Sequence, residues 1–372
     1  MVVSGTNGGA FCKDFGSVQL SGLTGSISVA YSLTLPDGSS ESFTEHYSPD
    51  DKGIVRINDL GELAFAYFEP LPMVLSGAQS AYYTLLLDAV VYDIADSKIG
   101  QFSQKFFYSN CRTNIQSPHR YQGFLSRHHR RKISADQAHF VGFIQNGQQL
   151  GLGVSYRKGD TEQWSEFLMG MGDNGQIYYQ NLDVQTVVQL LQTNMGVSVP
   201  VDDVFYYIIY LKVDGSVQDA MQVDVDHIPY PATTNMLYYN CFGIPDSLRF
   251  TGKDNRTTEI DAAYINVQRK FLKINTKYNI YHDVNTGFIN AVMRDCAEDL
   301  VNCEAPVYLY CNGALGDRIT VTEVNFDEFT PRTEPINVRI KYRLASECQR
   351  TIDRDMTVDY RIFDHTFGEE FE

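Results

Sequence analysis

Short runs of alternating apolar and polar residues, separated by Asp-Gly and Asn-Gly turns, dominate this sequence of 372 residues. Residues 26–35 alternate in this way, and Pro36-Asp37-Gly38 follows them directly. A period of two is typical of a strand with one buried face, because successive side chains in a strand point to opposite faces. Asp-Gly favours a tight hairpin, since glycine readily adopts the positive φ that the turn needs. The pattern therefore predicts a β-rich chain.

Composition and length indicate several modules rather than one. The chain has 24 Tyr and 22 Phe but a single Trp, Trp164, and broad aromatic rings favour strands and interfaces. A chain this long exceeds one ordinary core. We predict a mainly β fold made of β-sandwich or other β-rich modules with a few short helices. The predicted division is a β-sandwich domain (1–115), a basic connecting segment (116–135), a second β-rich domain with one short helix (136–230) and a third, β-dominated α+β domain (231–372).

A few local signals make specific predictions. A helix is expected over 183–194, with Asp183 near its start and Gly196 just beyond its end, and another over 287–301. Hairpins are expected at Asp214-Gly215 and, between residues 164–171 and 176–180, at Asp173-Asn174-Gly175.

Positive charge is concentrated in one stretch, residues 101–132, which holds seven Lys/Arg and no acidic residue. The rest of the chain has 23 basic against 46 acidic side chains. We name the densest part, residues 127–132, the basic cluster; its Lys and Arg residues are Arg127, Arg130, Arg131 and Lys132. Segregated charge of this kind indicates an acidic counterpart.

The basic cluster is expected to lie on a loop or on a short helix. Three interpretations of its role are open: a solvated surface, a contact with an acidic protein surface, or a nucleic-acid contact. Nucleic acid is disfavoured, because the strongly acidic chain would be repelled by phosphate. Residues 201–226 contain six Asp and a single basic residue, Lys212, and are the best acidic counterpart, in the same chain or a neighbouring subunit. We hypothesise a protein interface that joins the basic cluster to an adjacent subunit through Asp202, Asp203, Asp224 and Asp226.

No catalytic, cofactor or metal motif stands out, so we predict no catalytic residues, no cofactor, no metal and no enzymatic activity. Gly151-Leu152-Gly153 lacks the third glycine and the following helix of a dinucleotide site. Asp224 and Asp226 share one face of a predicted strand, a spacing more typical of surface polar residues than of a metal site. The N-terminus has no secretory signal and no window has eighteen consecutive apolar residues, so no membrane partner is expected.

A family resemblance lies at both ends of the chain. In the final third it rests on Tyr238–Gly243, Arg249–Gly252, Thr286–Phe288, a helix, Ala305–Tyr310 and a closing strand at Asn337–Ala345; near the start it rests on Phe11–Phe15 and Tyr47–Ile57. This arrangement resembles structural proteins of tailed phages and prophages of Bacteroides-type bacteria. The resemblance implies a non-enzymatic tail or baseplate component that docks to copies of itself and to other virion structural proteins. It implies a protein made in the bacterial host cytoplasm and located in the virion.

Two alternative functions remain open. One is a carbohydrate-binding or adhesion module in which Tyr and Trp side chains form a sugar platform. The other is a polysaccharide-cleaving enzyme of a phage tail, for which the sequence singles out no carboxylate pair.

Overall fold

The computed structural model describes residues 1–170, 173–267, 270–311, 313–327 and 336–345. Residues 346–372, the end of the predicted third domain, lie outside this description. The N-terminal third contains one α-helix and nine strands: β1 (Val2–Ser4), β2 (Ala10–Phe11), β3 (Val18–Ser21), β4 (Ile27–Thr34), β5 (Ser40–Tyr47), β6 (Ile54–Ile57), α1 (Leu60–Ala66), β7 (Ala78–Ala81), β8 (Thr84–Tyr92) and β9 (Lys98–Phe107).

The N-terminal unit is sandwich-like, with two sheets around one core. A three-stranded sheet has the order β1-β3-β6, and a five-stranded sheet has the order β2-β9-β8-β4-β5. Val18 and Leu20 of the first sheet share a buried cluster with Val29 and Leu87 of the second. The predicted strand at residues 26–35 is confirmed as β4, whose buried residues alternate along its length. Helix α1, which was not predicted, covers this core with Leu60 and Ala64.

The middle of the chain forms two further sheets and one helix. Its elements are β10 (Arg130–Ser134), β11 (Phe140–Asn146), β12 (Gln149–Lys158), β13 (Thr161–Met169), β14 (Asp173–Asn181), α2 (Val184–Met195), β15 (Val204–Val213) and β16 (Ser216–Asp226). We call the five-stranded sheet β10-β16-β15-β12-β13 the middle sheet. Strands β11 and β14 form a smaller sheet with β7 of the N-terminal third. Helix α2 and the inner faces of both sheets share one core.

Two local predictions for this region are confirmed. Asp183 accepts a hydrogen bond from the Thr186 amide at the start of α2, and Gly196 ends the helix with a φ of 69°. Asp214 and Gly215, both at positive φ, join β15 to β16.

The predicted hairpin at Asp173-Asn174-Gly175 is wrong. These residues begin β14, which pairs with β11 and β7, whereas β13 pairs with β12. The chain therefore changes sheets between β13 and β14: β13 pairs with the strand just before it, whereas the partners of β14 come from earlier in the sequence.

The C-terminal third forms a seven-stranded sheet. Its elements are β17 (Thr234–Tyr239), β18 (Pro245–Phe250), β19 (Asn255–Val267), β20 (Lys270–Ile289), α3 (Ala291–Val301), β21 (Val307–Cys311), β22 (Ala314–Asp327) and β23 (Ile336–Leu344). The strand order is β18-β17-β21-β22-β23-β20-β19. Met293 and Leu300 of α3 pack on this sheet. The predicted helix over 287–301 is confirmed in its second part, but residues 287–289 belong to β20.

One buried aromatic cluster joins all parts of the chain. Phe11 and Phe107 from the N-terminal unit meet Leu125, Tyr179 of β14 and Phe242 of the C-terminal third. The fold class is confirmed as mainly β, with several sheets and a few short helices. The domain boundaries stay a prediction, and this shared core shows that the sheets are not separated by a solvated linker.

Candidate functional site

The basic cluster ends in a strand, not in a loop or a helix. Strand β10 forms an edge of the middle sheet and pairs in parallel with β16. Because strand side chains alternate between faces, Arg130 and Lys132 are exposed while Arg131 and Ile133 are buried. The four predicted interface cations therefore have different environments.

The outward cations pair with acidic residues of the same chain. Arg130 Nε lies 2.8 Å from Asp224 Oδ2, and Lys132 Nζ lies 3.1 Å from Asp226 Oδ2. Two of the four predicted acidic residues thus meet the basic cluster within one chain. These ion pairs account for the shared face of Asp224 and Asp226.

Asp202 and Asp203 do not take part in this pairing. They lie in the single helical turn before β15. Among the described residues, no ion pair joins either of them to the basic cluster.

The expectation that Arg131 reaches another subunit is wrong. Its residue exposure is 3%, and its guanidinium contacts the Asp246 carboxylate and the Ser247 carbonyl of β18. A buried charge needs a partner, because desolvation of an isolated ion is very costly. Arg131 therefore fastens the middle sheet to the C-terminal sheet.

Arg127 and His128 also face the C-terminal third. Arg127 Nη1 donates to Asp299 Oδ1 at 3.1 Å, and its other terminal nitrogen lies 3.5 Å from Glu298. His128 Nε2 lies 3.2 Å from Cys296 Sγ in the interior. All three partners belong to α3, so the first half of the basic cluster anchors that helix.

Burial changes the protonation of this junction. Desolvation raises the pKa of Asp299 to about 6, against the opposing effect of Arg127. Desolvation, with Arg131 nearby, lowers the pKa of His128 to about 4. Burial also lowers the pKa of His139 well below its ordinary value. Near neutral pH both histidines are uncharged, so neither of them adds a positive charge beside Arg131.

The outer face of the middle sheet carries the exposed features of this region. Cross-strand pairing places Trp164 (β13), Ser155 (β12), Tyr206 (β15), Asp224 (β16) and Lys132 (β10) in one row across the sheet. We call these five residues the lateral row. Adjacent strands lie about 4.8 Å apart, so the row spans roughly 19 Å.

Two glycines of β12, Gly151 and Gly153, lie directly beneath aromatic rings. A Cβ on Gly153 would lie 2.1 Å from Cζ2 of the Trp164 indole, and a Cβ on Gly151 would lie 1.9 Å from Cε2 of Tyr210. Both distances are far below van der Waals contact, so the rings lie directly on the backbone. Trp164 as a residue nevertheless remains 45% exposed.

Glu166 fixes these rings from the side. It accepts a hydrogen bond from the Tyr210 hydroxyl and lies 3.3 Å from Lys212 Nζ. Hydrogen bonds from Tyr210, Lys212 and the Trp164 indole lower the pKa of Glu166. Trp164 is therefore an exposed ring beside a carboxylate.

This arrangement was not predicted from the sequence, where Gly151-Leu152-Gly153 was considered only as a dinucleotide-binding motif. The signal that could have found it is two glycines spaced by two in a strand, which leave one face bare for large neighbours. Trp164 and the exposed cations of the basic cluster lie far apart in sequence, and strand pairing brings them to one face.

No protein-family model matches this chain, and no curated protein matches it significantly. Among the described residues, no group of three or more His, Cys, Asp or Glu is arranged to hold a metal ion. In the same part of the chain, no helix is long and apolar enough to cross a membrane.

Proposed function

We propose that this chain is a non-enzymatic structural subunit of a tailed-phage virion, a tail or baseplate component. It assembles with copies of itself and with other virion structural proteins, after synthesis in the bacterial host cytoplasm. The resemblance at both ends of the sequence supports this proposal, as does an architecture of several β units that share one core.

The observation that carries the proposal is the open edge of β19. This strand of 13 residues ends the seven-stranded sheet and, among the described residues, pairs only with β20. Its side chains Ile260 and Tyr264 are exposed. A long edge strand with apolar side chains is a template for pairing with a strand of another molecule.

The β10 edge of the middle sheet has the opposite character. Strand β10 is short and presents Arg130 and Lys132, and charged edge strands discourage indiscriminate pairing. The basic cluster in this proposal holds the units together and protects one sheet edge, while β19 provides the contact between subunits.

Mass photometry of the purified chain tests the proposal. We expect an oligomer at micromolar concentration, and we expect the double variant Ile260→Lys/Tyr264→Lys to be monomeric and folded. Phe288→Lys is the matched control, because Phe288 is also exposed but lies outside β19. A monomeric wild-type chain, or a double variant that still assembles, would contradict the proposal. Flanking genes that encode other virion proteins would support it independently.

A carbohydrate-binding or adhesion role is the second candidate. The exposed, fixed indole of Trp164 favours it.

A further inference from the structure

We propose that the outer face of the middle sheet binds a neutral glycan, with the exposed face of the Trp164 indole stacked on a pyranose ring. This site is separate from the β19 edge and does not depend on the assembly role. In this site the backbone supports the ring, polar groups lie beside it, and carboxylates lie near it.

The ring is preorganised for stacking. Gly153 lies beneath the indole, so the ring lies directly on the backbone, and Trp164 remains exposed to receive a ligand. An aromatic ring provides a large apolar contact at low conformational-entropy cost. The apolar C–H face of a pyranose matches such a surface.

Polar groups follow the ring across the sheet. The lateral row continues from Trp164 past the buried Ser155 to the Tyr206 phenol and the Asp224 carboxylate. The Trp164 and Tyr206 ring centroids are 6.1 Å apart. An apolar platform followed by hydroxyl and carboxylate groups provides stacking for sugar rings and hydrogen-bond partners for their hydroxyls.

The local charge favours a neutral ligand. Glu162 contacts the Ser155 hydroxyl, and Glu166 lies at the edge of the indole. Of the nearby cations, Lys212 pairs with Glu166, Lys132 pairs with Asp226, and Arg157 lies over the Phe205 ring. Carboxylates beside the ring repel uronic acids and other acidic sugars.

A protein partner fits this face less well. Along β12, β13 and β15 the strongly exposed large apolar side chains are Trp164 and Leu168. A stable protein interface buries about 800 Å² on each partner around a larger apolar centre. One fixed ring in polar surroundings is better suited to a saccharide.

The sequence supplies its own reporter for the test, because Trp164 is the single tryptophan of the chain. Cellohexaose and the hexamer of N-acetylglucosamine are titrated while indole fluorescence is recorded, and a glycan array extends the search to other neutral glycans. We expect saturable binding that changes the fluorescence. Hexagalacturonate is expected to bind more weakly than the neutral ligands.

Two variants and a control locate the site by isothermal titration calorimetry. Trp164→Ala removes the ring and is expected to weaken binding about 30-fold, as for a dominant contact residue. Gly153→Ala keeps the indole but places a Cβ where the ring lies, and a similar loss is expected. Phe288→Ala, which removes an exposed ring elsewhere, should bind like the wild type.

Several results would overturn the inference. The first is that no neutral glycan on the array binds the folded wild-type chain. The second is that hexagalacturonate binds more tightly than the neutral ligands. The third is that a folded Trp164→Ala variant binds with unchanged affinity. Loss of oligomerisation in Trp164→Ala, without glycan binding by the wild type, would assign the face to a protein partner instead. Mass photometry of the β19 variants reports on the assembly proposal separately.

Discussion

Replacement of Arg131 by methionine tests whether the buried part of the basic cluster holds the structure together. Methionine has a similar length and no charge, so the change leaves the Asp246 carboxylate buried without its cation. Loss of one partner of a buried ion pair costs about 3–5 kcal/mol, because the remaining charge is desolvated and uncompensated. Since whole domains are stable by only about 5–15 kcal/mol, we expect a severe loss.

Urea unfolding at pH 7, followed by circular dichroism, measures the free energy of unfolding. Arg130→Met is the matched control, since Arg130 is the preceding residue of the same strand and pairs with Asp224 at the surface. An exposed ion pair contributes only about 0–1 kcal/mol, so this control should remain close to the wild type.

A double variant isolates the charge pair itself. Arg131→Met/Asp246→Asn removes both charges, and the asparagine oxygen can still accept the Ser247 amide hydrogen bond that Asp246 accepts. We expect it to recover much of the stability lost in Arg131→Met. If Arg131→Met costs no more than Arg130→Met, Arg131 is not the buried anchor described here. Charge reversal used to study assembly should therefore spare Arg131.

Two further predictions concern pH and helix capping. Because the pKa of His128 is about 4 in the folded chain against an ordinary value of 6.5, the unfolded chain takes up the proton first on acidification. The contribution of His128 to stability should fall by up to about 3 kcal/mol as the pH drops from 6.5 to 4, and His128→Asn should remove that contribution from the pH profile in urea titrations; an unchanged pH profile would contradict this. Asp183→Ala removes the side chain that accepts the Thr186 amide at the start of α2, and should cost about 1 kcal/mol. Thr193→Ala near the other end of α2 is the control, and equal losses of thermal stability in both variants would refute the capping role.

Local chemistry made part of this fold predictable from sequence. The turn at Asp214-Gly215 and the helix end at Gly196 depend on positive φ, which a few neighbouring residues determine. The alternation of β4 also follows from its own residues, because its buried face is set by a period of two.

The features that were not predicted from the sequence depend on pairing between strands that are distant in the sequence or whose register no local rule determines. Asp173-Asn174-Gly175 has good hairpin chemistry, yet β14 gains more by pairing with β11 and β7 beside a shared core. Arg131 looks like its neighbours Arg130 and Lys132 in the sequence, and only the strand that forms at β10 separates inward from outward charges. The role of Gly153 depends on Trp164 of the next strand, whose register no local rule fixes.

The aromatic cluster that joins the three parts of the chain also determines how its surfaces are presented. Because Phe11, Tyr179 and Phe242 pack in one core, the units that carry the β19 edge and the Trp164 ring are packed together rather than joined by a free linker. In a symmetric particle, every copy would then display its ring in the same direction. Contacts that are weak one at a time would act together on a repetitive surface, with an avidity that flexibly joined modules reach less readily.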